Sequence, residues 1–265
     1  MQMFNNINDM YVNMCKDLIL KGKLVNNTLE LDNYMVTLTN VDQCVINVRS
    51  LSLNYMAAEL LWYLNGRNDV DFIGKYASMW NRITDDGKTN NSAYGYIIKY
   101  KHGFDQLEKI IELLKVDPYS RRAVININVP NENVIETKDE MCTICLNFQL
   151  RNSKLNCTAV MRSNDIYTGT VYDITYFILL QKYVASRLNV SCGQYTHIAL
   201  SLHVYDRHIE KISSIVNSTK FDDVVVNIDS DKLFETYSNL LDEVILNSIK
   251  PIDVFFKHNI YQKLN

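Results

Sequence analysis

The chain has 265 residues, 47% of them hydrophobic and 22% charged, with a formal net charge of −3. A chain of that length buries roughly 70–75% of its unfolded surface without staples, and its slight acidity excludes a global basic field for a long nucleic acid. No apolar stretch approaches the ~20 residues of a membrane span, the start MQMFNNINDM shows no leader pattern, and six scattered cysteines point to reduced thiols in a cytoplasmic protein.

Three prolines, eight glycines and no repeat or low-complexity segment argue against a linker, so residues 1–265 read as one domain. Residues 7–20 read as an amphipathic helix, and residues 34–50 as strand, alternating through YMVTLTN and QCVINV. A helix over 54–65 is closed by Gly66 near its C-cap. A third helix, FDQLEKIIELLKV, carries Phe104, Leu107, Ile111 and Leu114 at helical spacing. Three strands follow, AVININV, CTICLNFQLR and KLNCTAVMR, the last two joined by a turn at Asn152-Ser153. A buried helix over 174–188 and a strand near 195–205 complete the pattern. This order predicts an α/β (α+β) fold, one large mixed β-sheet covered by helices on one face. An uncovered apolar sheet face needs a partner, which predicts a dimer.

In MCTIC, Cys142 and Cys145 have the Cys-x-x-Cys spacing of redox pairs and half zinc sites. On a strand that spacing sends the thiols to opposite faces, badly aimed for a disulfide. No second pair exists, and the only His-x-Glu, His208-Ile209-Glu210, lies downstream, with no proline before Cys142 as a zinc deaminase would have. Metal and redox chemistry are weak readings, which leaves Cys142 as a buried small hydrophobe or a nucleophile.

The turn DPYSRR carries Arg121 and Arg122 into a strand, and Arg162-Ser163 is a second anion-ready pair at a strand end. Arginine forks suit phosphate bidentately, so these are either solvated surface or the binding set of a small phosphate monoester. Glu59 interrupts the apolar stretch Ala57 to Leu64, at i+4 from Tyr55 and i−3 from Trp62. It is either solvated or a carboxylate with a partner or a job. His203 and Tyr205 share a strand face and suit a hydroxyl, against an ordinary strand with a satisfied histidine. Asp173, where the 174–188 helix begins, is an N-cap or the reader of one substrate edge.

Taken in order, ELLWYLNG, SMWN, AYG, DPYSRR, MCT, MRSND, the Gly169-to-Asp173 segment and SLHVYDRH resemble the motif succession of the thymidylate synthase superfamily, from about residue 55 to 210. The resemblance implies a thymidylate synthase-like fold that dimerises through its sheet. The details are closer to the phage-type deoxycytidylate (dCMP) hydroxymethylases. Cys142-Thr143 stands where thymidylate synthases usually have Cys-His, and Arg162-Ser163-Asn164-Asp165 where they have Arg-Ser-Cys-Asp. Ser201-Leu202 replaces an Asp-containing segment, and the Arg-Thr-Gly phosphate loop is missing, with Lys21 or Lys23 as substitutes. The family's closing tail is not recognisable in FFKHNIYQKLN. Asp173 replaces an asparagine that donates to and accepts from uracil. A carboxylate only accepts, which suits cytosine and repels uracil's carbonyl.

The resemblance implies the following roles. Arg162, Ser163 and Asn164, with Arg121 and Arg122 from the other subunit of a homodimer, hold dCMP, and His203 and Tyr205 hold its sugar hydroxyl. Cys142 attacks carbon 6, Asp173 stabilises charge on the ring, Tyr94 helps remove the carbon 5 proton and Glu59 organises water. Carbon 5 takes a one-carbon unit from 5,10-methylenetetrahydrofolate, the folate meeting Asp165, Trp80, Asn81 and Glu59. Water then gives 5-hydroxymethyl-dCMP, and no metal, membrane or nucleic acid takes part. A phage origin, itself implied, places the enzyme in host cytoplasm. The alternatives are thymidylate synthase, a dUMP or CMP hydroxymethylase of the same fold, and a non-catalytic nucleotide or RNA binder.

Overall fold

A computed structural model describes residues 2–131, 133–217 and 226–264. In chain order the elements are β1 (Gln2–Phe4), α1 (Ile7–Lys21), β2 (Lys23–Val25), β3 (Thr28–Leu38), α2 (Leu53–Leu64), α3 (Val70–Ile73), α4 (Met79–Ile83) and α5 (Tyr94–Tyr96), the last running into a π-turn over Ile97–Lys101. There follow α6 (Gln106–Val116), β4 (Val124–Asn126), β5 (Thr143–Arg151), β6 (Lys154–Met161), β7 (Asn164–Asp165), α7 (Thr170–Arg187) and β8 (Ser191–Tyr205). Then come a 3₁₀ turn (Asp206–His208), α8 (Ile209–Asn217), β9 (Val226–Ile228), α9 (Ser230–Asn247), α10 (Pro251–Lys257) and β10 (Tyr261–Lys263).

The main sheet has the order β1-β3-β8-β6-β5-β4, with β2 on β3 and β7 on β8. It is mixed, because β3–β8 and β5–β6 are antiparallel while β6–β8 is parallel. Alternation sorts its faces. Leu146 and Phe148 of β5, Leu155, Cys157, Ala159 and Met161 of β6, and Tyr195, His197 and Ala199 of β8 are buried on the helix side. Their neighbours Asn156, Thr158, Val160 and Ile198 stay partly exposed or are only lightly covered on the other. Burying each large apolar chain contributes about 1.5–3 kcal/mol, so this alternation fixes the register. Left-handed Asn33 of β3 (φ 52°) lies opposite Leu200, and there the burial phase of β8 changes, from Ala199 to Leu202 and Val204. The phase change leaves His203 and Tyr205 half-buried on one face. No helix among the described residues is long and apolar enough to cross a membrane.

Several local expectations hold for stated reasons. Gly66 (φ 64°) ends α2: its amide donates to Tyr63 O and that of Arg67 to Trp62 O, a Schellman pair. Asn152 and Ser153, with φ of 52° and 58°, form the left-handed two-residue turn that right-twisted strands need.

Others are corrected. The segment QCVINV is buried but not a strand, because asparagine side chains replace ladder bonds: Cys44 N donates to Asn227 Oδ1, and Asn47 Nδ2 to Val45 and Val226 carbonyls. Only Val124–Asn126 of AVININV pairs, since Ile127 and Asn128 both turn their amides to Ile144 O. Asp105 caps α6 through the amides of Leu107 and Glu108, so the helix starts beyond Phe104, which is exposed. Helix α7 begins a turn earlier than predicted, at Thr170 with Gly169 as its cap residue. Asp173 therefore is not an N-cap: it lies inside the first turn, its amide already bonded to Gly169 O.

Candidate active site

Two walls and a strand end enclose the candidate site. The first wall is α2. Tyr55 and Glu59, four residues apart, share a helix face, and the Tyr55 hydroxyl donates to Glu59 Oε1. Trp80 of α4 donates its Nε1–H to the same hydroxyl at 3.1 Å, and its ring lies 5.2 Å from that of Trp62. Burial pushes Glu59 up to about 8, the charge of Asp173 adds to the rise, and the Tyr55 bond opposes it. With no basic partner in reach among the described residues, the carboxyl holds a proton at neutral pH.

The second wall is the start of α7, where Asp173 Oδ2 accepts from Asn164 Nδ2 at 3.0 Å. Burial pushes Asp173 up to about 7, with the Asn164 amide opposing and the Asp165 charge adding. Between the walls stands Tyr94, stacked on Tyr63 at 5.4 Å. Burial raises its hydroxyl far above the ordinary value, and the charges of Asp173 and Cys142 raise it further.

Cys142 precedes β5 and is partly exposed. Arg162, leaving β6, donates Nε–H to Met141 O (2.8 Å) and Nη2–H to Glu140 O (2.9 Å), with Nη2 4.0 Å from Cys142 Sγ. The guanidinium is thereby tied to the backbone that carries the thiol, and its Nη1 points to no protein acceptor among the described residues. Burial pushes the Cys142 thiol up to about 11, Arg162 opposes this, and Asp173, Asp139 and Glu140 add to it. At neutral pH the resting sulfur is a thiol. Behind it, the Thr143 hydroxyl is buried and faces the Tyr94 hydroxyl.

The remaining expected residues divide. Ser163 is half-buried beside exposed Arg162, and His203 and Tyr205 meet edge to face at 5.6 Å, with His203 paired in register to Asp165. Lys23, Glu30, His203 and Asp165 form one cross-strand row. Lys21 is instead paired with Asp17 at 2.6 Å. Arg121 and Arg122 are exposed, Arg122 lying 3.8 Å from Asp117. Three residues expected to bind ligands are engaged by their own chain. Asn164 is 2% exposed with both amide atoms bonded to protein. Asp165 accepts from the amides of Tyr167 and Thr168 and the Thr168 hydroxyl. Asn81 donates to Gly74 O.

No group of three or more His, Cys, Asp or Glu among the described residues could hold a metal ion, and the six cysteines are free thiols. Sequence reasoning missed Tyr195, His197 and Thr170, which bond one another or Asn164 behind Asp173. The available signal was the polar pair Tyr195 and His197 at alternate positions of an otherwise core-facing strand.

Comparisons with known proteins identify relatives in sequence and in fold. Residues 9–253 match the model of the family described as thymidylate synthase. The chain is 33% identical over 210 residues to a deoxyuridylate hydroxymethyltransferase of Bacillus phage SP01, covering 73% of this chain and 54% of that protein. It is 31% identical to the enzyme of the same name from Pseudomonas phage M6, covering 60% and 46%. A thymidylate synthase of Mycoplasma pneumoniae is 28% identical, covering 58% and 64%. The chain thus spans about half the length of the two phage relatives. Among solved structures, thermostable thymidylate synthase A from Bacillus subtilis superposes with a TM-score of 0.73 at 19% identity, covering 98% of this chain and 95% of that one.

Proposed function

The chain belongs to the thymidylate synthase family, and we propose that it transfers a one-carbon unit from 5,10-methylenetetrahydrofolate to carbon 5 of dCMP, giving 5-hydroxymethyl-dCMP and tetrahydrofolate. The observation that carries the choice of base is Asp173: a carboxylate beside Cys142 and Tyr94, held by an amide donor at Oδ2. It presents lone pairs to cytosine's amino group and protonated ring nitrogen, and repels the carbonyl of uracil.

In this reading the free edge of Arg162, Ser163 and Lys23 take the phosphate, and His203 with Tyr205 takes the sugar hydroxyl. Cys142 adds to carbon 6 as the thiolate, which the Arg162 guanidinium favours, its proton passing to water. Asp173 stabilises charge on the ring, Tyr94 assists removal of the carbon 5 proton, and Glu59 moves protons through water. The folate, as second substrate, supplies the carbon. Glu59 and Trp80, pinned together by Tyr55, suit that substrate, whereas Asp165 and Asn81 hold their own loops. Water completes the product. The chain works as a single domain, and a second copy covers the open sheet face, where Leu200 and Met35 are exposed, bringing its Arg121 and Arg122 to this phosphate.

A second reading, dUMP as substrate, is favoured by the names of the two phage relatives. Incubation with methylenetetrahydrofolate and dCMP, dUMP or CMP, with the product read by mass spectrometry, separates them. A hydroxymethyl adduct on dCMP is expected. A methyl product, or an adduct on dUMP alone, would replace this reading. Cys142→Ser at full turnover would remove the mechanism.

A further inference from the structure

Asn164 lies at the start of β7, and every polar atom of its side chain is taken by protein. Its nitrogen donates to Asp173 Oδ2 at 3.0 Å, so its oxygen faces His197 Nε2 at 3.0 Å and the Thr170 hydroxyl. An amide oxygen only accepts. Nε2 must therefore carry the imidazole proton, which leaves a lone pair on Nδ1 for the Tyr195 hydroxyl at 2.9 Å. The result is a chain with one direction: Tyr195 to His197, His197 to Asn164, Asn164 to Asp173. Tyr195, His197 and Thr170 are 0% exposed. Burial also pushes His197 down to about 4, so its ring stays neutral and the direction holds.

We propose that His197 is a positioning residue that acts through Asn164 to fix how the Asp173 carboxylate meets the substrate, and so sets the base preference of the site. The proposal rests on the reading of dCMP as substrate. An asparagine amide turned by half a rotation exchanges its oxygen and nitrogen. Here His197 Nε2–H opposes that turn, because it would set donor against donor, whereas the Thr170 hydroxyl, which can also donate to Asp165 O at 3.1 Å, could accept from a turned amide. With the amide locked, Asp173 meets a donor at Oδ2 and keeps Oδ1, which has no protein donor among the described residues, for the base. Released, Asn164 no longer holds its donor on Oδ2, and the carboxyl, having lost the bond that opposes its upward shift, takes up a proton more readily. A protonated carboxyl donates as well as accepts, and a donor is what uracil's carbonyl needs.

The test is a cycle of His197→Phe, Asp173→Asn and the double variant, with kcat/KM measured for dCMP and dUMP. His197→Phe is expected to lower the dCMP-over-dUMP ratio about tenfold, equivalent to about 1.4 kcal/mol of coupling. In the Asp173→Asn background, where the new amide is free to turn with Asn164, its effect on the ratio is expected to differ in size or sign, so that the two changes are not additive. His197→Gln, which keeps a donor, is expected to restore part of the ratio. Equal losses on both nucleotides, additive in the double variant, would mean that His197 only fills the core, and would overturn the proposal. Nitrogen NMR of the wild-type imidazole needs no substrate: a proton on Nε2 upholds the lock and a proton on Nδ1 overturns it. A wild type that prefers dUMP would overturn the dCMP reading alone, and the tautomer and the non-additivity would still decide the lock.

Discussion

Glu59 and Asp173 are two carboxyls raised by the same cause, burial, yet they sit in opposite kinds of surroundings. Glu59 hangs on one phenol in an aromatic wall of Tyr55, Trp80 and Trp62. One phenol donor is too little to hold its charge against burial, so the carboxyl keeps a proton. Asp173 is held by an amide whose own orientation is set three residues deep. That surrounding does not store a proton so much as aim lone pairs. In the proposed reading, burial therefore yields a proton carrier in one place and a selective acceptor in the other, and the neighbouring donor decides which.

The largest expected effect breaks the first half of this contrast. Glu59→Gln keeps the Tyr55 bond but carries no exchangeable proton, and is expected to lower kcat by about 10²-fold or more while nucleotide binding, read by calorimetry, is retained. The same variant should be more stable than the parent at pH 8. Glu59 titrates near 8 when folded against an ordinary 4.5, so the folded state binds the extra proton between those values. Its stability is full below 4.5 and declines as pH rises toward 8. Melting both proteins at pH 5 and pH 8 should show the gap opening by more than about 1 kcal/mol. A gap independent of pH would mean that Glu59 is already ionised.

Asp173→Asn attacks the second half. Asn164 still donates, so the new side chain must turn its oxygen to Asn164 and its nitrogen to the base. The preference for dCMP is expected to reverse toward dUMP, a swing of about 10²-fold or more, because a buried donor left unpaired is penalised far beyond a lost contact. Unchanged preference in kcat/KM would show that Asp173 does not read the base.

These two regions were legible in the sequence to different degrees, and the reason is distance along the chain. Tyr55 and Glu59 are four apart on one helix, so their pairing follows from helical periodicity. The ends of that helix and the Asn152-Ser153 turn were legible for the same reason. The seat of Asp173 joins β7, α7 and β8, with Asn164 and His197 separated by 33 residues, and only the sheet register brings them together. Asn164 consequently read as a substrate ligand, with no sign in the sequence that its amide bonds Asp173 and His197. The segment around Cys44 and Asn47 misled in a related way: its alternation is that of a strand, but its backbone bonds go to side chains of remote asparagines. The family motifs located Cys142, Arg162 and His203 without any of this detail.

A smaller effect sharpens the contrast by titration. In the proposed reading Asp173 discriminates as a carboxylate, and burial pushes it up to about 7. Protonated, it donates to uracil's carbonyl, so the dCMP-over-dUMP ratio is expected to rise as pH increases from 6 to 8 through that value. Glu59 and Cys142 also titrate, near 8 and 11, but they serve both nucleotides and cancel in the ratio. A flat ratio would place the selecting proton elsewhere.

The smallest effect lies outside both regions and serves as their control. Lys23 stands in the row of His203 and Asp165 across β2, β3, β8 and β7, while Lys21 is paired with Asp17. An exposed lysine that meets a phosphate contributes only about 1 kcal/mol, so Lys23→Ala is expected to raise the KM for dCMP about fivefold and leave kcat and the base ratio unchanged. Lys21→Ala should leave all three alone, since it removes only a surface pair with Asp17. With deoxycytidine, which has no phosphate, Lys23→Ala should have no effect. A change in the base ratio from either lysine would couple the phosphate end to Asp173, and selection could then no longer be assigned to the Asn164 lock alone.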